Sequence, residues 1–283
     1  MKRSMIVAGS LLLVVFFSAF STAPRFLNLI EAQSVNDLEI EMTASGGSSS
    51  ECAVVAITNR TSDPVRIRIE PGMRLIQENE EYQDILVTQP SQILVDRWER
   101  VELPVHGYCC ESSDRTPEAG LRFSQVEAAS DELSSLAIRI SDGEYSPSQS
   151  QAAIWSISDG THLGAIYDDE AGEELMQYCA DMRGEEMPWY QVDYGDILDR
   201  PFSNEPVRLS GEMSYVVDHL AHADLLVYGP DGKVILTFYE GKVMTPAMYK
   251  QSFAFSATDL APGDYVFTLL LDGQVKQTET VTI

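Results

Sequence analysis

The stretch Arg66-Ile67-Arg68-Ile69 alternates charged and β-branched apolar side chains without a break. Successive side chains of a strand point to opposite faces, whereas a helix would scatter the same pattern around its axis. The segment therefore reads as a strand, with isoleucines inward and arginines in solvent. It lies within Val65 to Ile69, and Leu38 to Met42, Cys52 to Ile57, Ile85 to Val87 and Arg100 to Val105 likewise alternate or run apolar. Between these runs lie Gly46-Gly47, Thr61-Ser62-Asp63-Pro64, Pro71-Gly72 and Gln89-Pro90. Such residues favour turns through positive φ, a fixed φ or local side-chain hydrogen bonds. Short strands punctuated at this interval predict an antiparallel sandwich or barrel.

The texture changes after Glu111. Glu111 to Gly120 is polar and reads as a loop, and from Asp131 the residues Leu133, Leu136, Ala137 and Ile140 recur at helical spacing. Ser130 or Asp131 is the expected cap and Gly143 the stop. Ser146-Pro147-Ser148 opens a second helix carrying Gln151, Ala152, Ile154, Trp155 and Ile157, which stops at Asp159-Gly160. A third helix is expected from Asp168 to about Arg183, with acids in its first turn where the helix dipole favours them. Past a proline-containing stretch, the period returns to two from Val207 to Ile283, with hairpin signals at Gly229-Pro230-Asp231-Gly232 and Asp272-Gly273. The expected fold class is thus mainly β with a helical cap. An antiparallel β-sandwich plus about three helices spans 35–183, a linker 184–206, and an immunoglobulin-like β-sandwich of about seven strands 207–283.

Met1-Lys2-Arg3, the apolar run Met5 to Phe20 and the small residues up to Ala23 predict a secretory signal peptide over 1–23. The run falls short of the roughly 20 residues that a spanning helix takes, so the exported chain is not expected to be an integral membrane protein. Cleavage after Ala23 places Pro24 at the new terminus, and Ala32 offers a second site. The location expected is periplasmic, outer-surface or extracellular. The formal net charge of −25 is dispersed among apolar residues, which argues against disorder and against nucleic acid or anionic membrane as a partner. It also suits a high-salt habitat, where screening relieves self-repulsion. The four cysteines Cys52, Cys109, Cys110 and Cys179 read, in an oxidising compartment, as two disulfides of open connectivity. Cys109 and Cys110 are adjacent, so in a strand they would face opposite ways and take different partners.

Two strings carry candidate chemistry: Gly107-Tyr108-Cys109-Cys110-Glu111, and Ser150-Gln151-Ala152-Ala153-Ile154-Trp155. Together they resemble the thioester domains of bacterial surface adhesins, whose signature is a Thr-Gln-x-Ala segment paired with an earlier cysteine. Here Ser150 stands where the family has threonine, and Cys110 adjoins the candidate cysteine. The resemblance implies that the Cys109 thiol displaces ammonia from the Gln151 side chain, and that the buried thioester later acylates a nucleophile on a target. Tyr108 and Trp155 would shield the bond from water, and His106, whose pKa is ordinarily near neutral, would shuttle protons. On that reading Cys52, Cys110 and Cys179 remain as disulfide candidates. The alternative is that Gln151 is a polar residue in the first turn of a helix and Cys109 one half of a disulfide.

The phrase Asp259-Leu260-Ala261-Pro262-Gly263-Asp264-Tyr265, with Leu269-Leu270-Leu271-Asp272-Gly273, resembles the C-terminal modules of exported bacterial proteins, including FlgD-like and type IX sorting modules. The sorting modules usually end on basic residues, whereas this chain ends Thr280-Val281-Thr282-Ile283. His219 and His222, and the acidic run Asp168-Asp169-Glu170 with Glu173-Glu174, offer metal-binding groups but lack a recognisable ligand spacing. A hydrolase using Cys109 with His106 lacks an orienting residue and an oxyanion-forming loop. No metal or other cofactor is called for, and a non-enzymatic protein is expected. Its partner would be a protein or glycan at the cell surface. The competing expectation is a structural envelope protein held by two disulfides.

Overall fold

A computed structural model describes residues 24–167, 169–195 and 205–283. The expected signal peptide, Asp168 and part of the expected linker lie outside the described residues. Strands account for 48% of the described residues and helices for 18%, which makes the protein mainly β.

The N-terminal unit begins with β1 (Arg25–Asn28) and the short helix α1 (Leu29–Ala32), followed by β2 (Leu38–Ala44), β3 (Ser49–Asn59), β4 (Val65–Ile69) and β5 (Met73–Gln77). Then come β6 (Ile85–Val87), β7 (Ser91–Val95), β8 (Arg100–Cys109) and β9 (Arg122–Ala128). Six of these strands close into a barrel in the order β2-β3-β8-β6-β5-β9, while β1-β4-β7 form a small sheet against it. In β4, Ile67 and Ile69 are fully buried, as the alternation requires, and Arg66 and Arg68 point away. These isoleucines belong to one apolar cluster with Val55 and Ile57 of β3, Leu75 of β5 and Ile85 of β6. The small sheet and the barrel thus face each other across a shared core, so the sandwich layering expected from the sequence persists beside a closed barrel.

Three helices cover one side of the barrel: α2 (Asp131–Asp142), α3 (Pro147–Ser158) and α4 (Glu170–Arg183), with a 3-10 turn at Leu163–Ala165. Ser130 caps α2 by accepting from Leu133 N–H, and Ser146 with Gln149 forms a reciprocal capping box on α3, whose first residue is Pro147. Asp169 caps α4, and Gly184 ends it at φ 67°, a conformation open to glycine without a Cβ penalty. Leu136, Ile154, Leu175 and Cys179 pack with Leu86 and Cys110 in a second core between helices and barrel.

Among the described residues, seven strands form the C-terminal unit: β10 (Tyr190–Asp193), β11 (Arg208–Val217), β12 (Ala221–Tyr228), β13 (Val234–Met244), β14 (Ala247–Ser256), β15 (Asp264–Leu271) and β16 (Gln274–Thr282). They make two sheets, β10-β11-β14 and β13-β12-β15-β16, enclosing Leu209, Tyr215, Leu225, Phe253 and Phe267. Within the stretch expected to be a linker, β10 pairs with β11, Tyr190 opposite Gly211. Gly211 is required there, since a Cβ would fall 2.8 Å from the Phe253 ring.

The disulfide expectation is corrected: Cys52, Cys109, Cys110 and Cys179 are all buried free thiols. Cys109 N–H bonds to Ser48 O, so its cross-strand neighbour is four residues from Cys52. That separation is roughly 13 Å along an extended strand, shortened by the bulge at Cys52 but far beyond the ~7 Å limit between bridged Cα atoms. Cys110 and Cys179 share the helical core but lie in different surroundings, the first beside Glu111 and Arg74 and the second beside Ser156 and Arg183.

Candidate functional site

Cys109 is the last residue of β8 and Gln151 lies in the first turn and a half of α3, 42 residues later, yet their main chain and side chain are in direct contact. The Gln151 side-chain nitrogen donates to Cys109 O at 2.8 Å, and Cys109 N–H donates to Gln151 Oε1 at 3.2 Å. The carboxamide therefore pairs with one residue of β8 through both its donor and its acceptor, as a neighbouring strand would. Both residues are completely buried. Three features place α3 for this contact. The capping box fixes its start, Ala152, Ala153 and Ile154 pack into the helical core, and Ser158 donates to both Cys110 O and Ile154 O.

The cysteine pair splits between cores, as adjacent strand residues must. Cys109 joins the barrel interior, and Cys110 joins the helical layer. Burial pushes both thiols well above their ordinary pKa, and nearby Glu111 adds to the effect. Burial also pushes Cys52 up to about 12 and Cys179 up to about 11. None of the four is a ready thiolate at neutral pH.

Trp155, one turn beyond Gln151, is 1% exposed and belongs to the barrel core rather than the helical one. Its ring shares that core with the Cys109 side chain. Tyr108 and His106 occupy the opposite, outward side of β8, because each is an odd number of residues from Cys109. Tyr108 is half-buried, and burial raises its phenol pKa. His106 is half-buried and pairs with Glu51 at 3.5 Å, so the structure does not bring its imidazole to the Cys109 thiol. Both line a cleft of about 610 Å³ with Ser50, Thr88, Gly107 and Pro147, and Tyr108 packs against the helical core beside Ser150. Gly107 permits this geometry, because a Cβ there would run into Leu86 O on β6.

A neighbouring anchor escaped the sequence reading. Arg74 bridges Asp84 and Glu111, Glu111 accepts from Asp84 N–H at 2.7 Å, and Asp84 accepts from Gln77 N–H at 2.6 Å. This network ties β5, the loop before β6 and the end of β8 together directly after Cys110. Burial raises the Glu111 pKa, opposed by the Asp84 N–H and by Arg74. The only sequence signal is the polar Glu111 at the end of an apolar strand.

The metal candidates do not converge, and no group of three or more His, Cys, Asp or Glu among the described residues is placed to hold an ion. His219 sits between Asp218 at 2.5 Å and Asp272 at 3.1 Å on the exposed surface, and His222 contributes its N–H to Asp272. Asp169 is occupied as a helix cap and by Gln149. No described helix is long and apolar enough to cross a membrane.

No protein-family model matches this chain, and no curated protein matches it. Among solved structures, a likeness is found to red sea bream transglutaminase, at 10% identity and a TM-score of 0.22. It covers 88% of this chain and spans 32% of that one, about a third of its length. A likeness at that level supports neither a fold assignment nor an activity.

Proposed function

We propose that this chain is an exported surface-binding protein whose N-terminal unit captures its target covalently through a Cys109–Gln151 thioester. The observation that carries the reading is the burial of the Gln151 carboxamide against Cys109, in a place that water does not reach. In the step, the Cys109 sulfur attacks Gln151 Cδ, a C–S bond replaces the C–N bond, and the thiol proton leaves with the amide nitrogen as ammonia. Cys109 N–H already donates to the carbonyl oxygen on which negative charge would develop, the arrangement that stabilises an acyl-transfer intermediate. Fixed proximity supplies much of the remaining advantage. Trp155 would keep water from the finished bond, and the cleft beside Tyr108 would offer the approach for the target nucleophile. The resemblance to adhesin thioester domains, the C-terminal module's resemblance to appended modules of exported proteins, and the signal-like residues 1–23 support the same reading.

A second reading rests on the same hydrogen bonds. Both polar atoms of Gln151 are satisfied by the Cys109 main chain, which suits a clamp holding α3 to the barrel in a purely structural envelope protein. The raised Cys109 pKa favours this alternative, since attack needs a thiolate. Intact mass of the exported chain separates the two. A thioester makes it lighter by one ammonia, and methylamine adds back its own mass at Gln151. A chain at its full reduced mass that methylamine leaves unchanged leaves the clamp as the function of the pair.

A further inference from the structure

The helical layer and the C-terminal sandwich meet along a trough that shares no residue with the Cys109–Gln151 contact. Two clefts of about 430 and 670 Å³ form it, joined through Tyr167, Gln191, Arg208 and Ser210, which line both. One wall is the surface of β10 and β11. The other is the start of α3, the segment following the 3-10 turn, and α4.

Polar groups are left unspent on the sandwich wall. Ser210 Oγ donates to Gln191 Oε1 at 3.1 Å, and the Gln191 amide nitrogen has no partner among the described residues. Arg208 stands opposite Asp193 in the β10–β11 register, yet among the described residues its exposed guanidinium forms no ion pair. Aromatic rings are interspersed: Tyr167 lines both lobes, Tyr194 lines the smaller and Trp189 the larger.

Charge narrows the ligand. Arg208 reaches both lobes and repels a cation, whereas Asp193, Glu173 and Glu212 around it, within a chain of net charge −25, repel an anion. The polar lining disfavours a purely apolar ligand. An extended peptide would seek a free strand edge to pair with. The exposed edge of β10 is already covered by the 3-10 turn, where Gly164 lies so close that a Cβ would stand 2.6 Å from Tyr190 O. What remains is a ligand with flat apolar faces to stack on tyrosine and tryptophan and with neighbouring hydroxyls to engage carboxamide, guanidinium and carboxylate forks. We propose that the trough is a binding site for an uncharged oligosaccharide, with Tyr167 as the stacking platform and Arg208 and Gln191 as hydroxyl-pairing groups.

The site needs no acyl chemistry, so failure of the thioester leaves it standing. Calorimetry on the whole exported chain with maltotriose, cellotriose, tri-N-acetylchitotriose, mannotriose and xylotriose tests it, with trigalacturonate and trilysine as charged controls. At least one uncharged trisaccharide is expected to bind. Arg208→Met and Tyr167→Ala should each weaken that binding about tenfold or more, and Arg97→Met, at an exposed arginine elsewhere, should leave it unchanged. Because Arg208 is exposed, its variant is expected to melt as the parent does. No heat with any of the five, parental binding by both trough variants, or tighter binding of either charged control would overturn the proposal.

Discussion

Gln151 is a long polar side chain that folding has removed from water entirely, and only the Cys109 main chain compensates it. A buried hydrogen bond whose partner is deleted costs about 1–3 kcal/mol through the group left unsatisfied. Gln151→Ala removes both bonds and leaves a void where the carboxamide stood. A loss of about 2–4 kcal/mol is expected in urea unfolding at neutral pH. Gln151→Glu keeps the shape but places a carboxylate against Cys109 O, an acceptor. Its deficit should shrink as the pH falls and the glutamic acid protonates to become a donor, while the deficit of the alanine variant should not. Equal pH dependence in the two variants would mean that the side chain does not face Cys109 as described. The sequence singles out Cys109 and Gln151, and the structure brings them together. His106, three residues before Cys109, has to face the other way by strand parity, a constraint legible in the sequence itself.

Among the elements, the 3-10 turn Leu163–Ala165 links the helical layer to the C-terminal sandwich through His162. Its Nδ1 accepts from Gly164 N–H at 3.0 Å, so Nε2 carries the proton and donates to Tyr190 Oη at 2.8 Å. Tyr190 Oη in turn accepts from Thr282 N–H at 3.2 Å. A second proton on the ring would point Nδ1–H at another N–H. Burial, the largest cause, and the positive Arg183 nearby hold the imidazole pKa down at about 4 against an ordinary 6.5. The unfolded chain therefore takes up the proton first as the pH falls. The contribution of His162 is complete above pH 6.5 and drains away as the pH drops toward about 4. The total is on the order of 3 kcal/mol. Urea midpoints across that window should fall for the parent and stay flatter for His162→Gln, which starts lower at neutral pH. Parallel slopes would remove His162 as the source. The strand β9 shows why other elements escaped the sequence. Ile76 pairs with Gln125 but Gln77 with Phe123, a bulge that leaves Phe123 and Val126 buried three residues apart. That spacing hides the period of two, and β9 is the strand that pairs with both β2 and β5 to close the barrel. Expected as a sandwich with helices, the unit was legible in its layers but not in its closure. The short β10 was hidden for a related reason, since a strand of four residues carries too few alternations to register.

For the whole molecule, the governing quantity is charge. The chain carries 44 acids against 19 bases, so ion pairing cannot neutralise the surface. The pairs that form are mostly exposed, such as Arg60–Glu39 and Lys250–Glu212, and exposed pairs contribute about 0–1 kcal/mol each. The unfolded chain spreads the same charges farther apart, so repulsion weighs on the folded state. Added salt shortens the screening length from about 10 Å at 0.1 M to about 3 Å at 1 M and weakens the surplus repulsion more than the few favourable pairs. The thermal midpoint should therefore rise by several degrees as NaCl increases from about 0.05 to 1 M, most steeply at the low end where the screening length changes fastest. Potassium chloride should act alike, because the effect comes from ionic strength rather than from a bound ion. A midpoint that stays level or falls with either salt would mean that local pairs outweigh the collective field. A rise with one salt alone would point instead to a specific ion site.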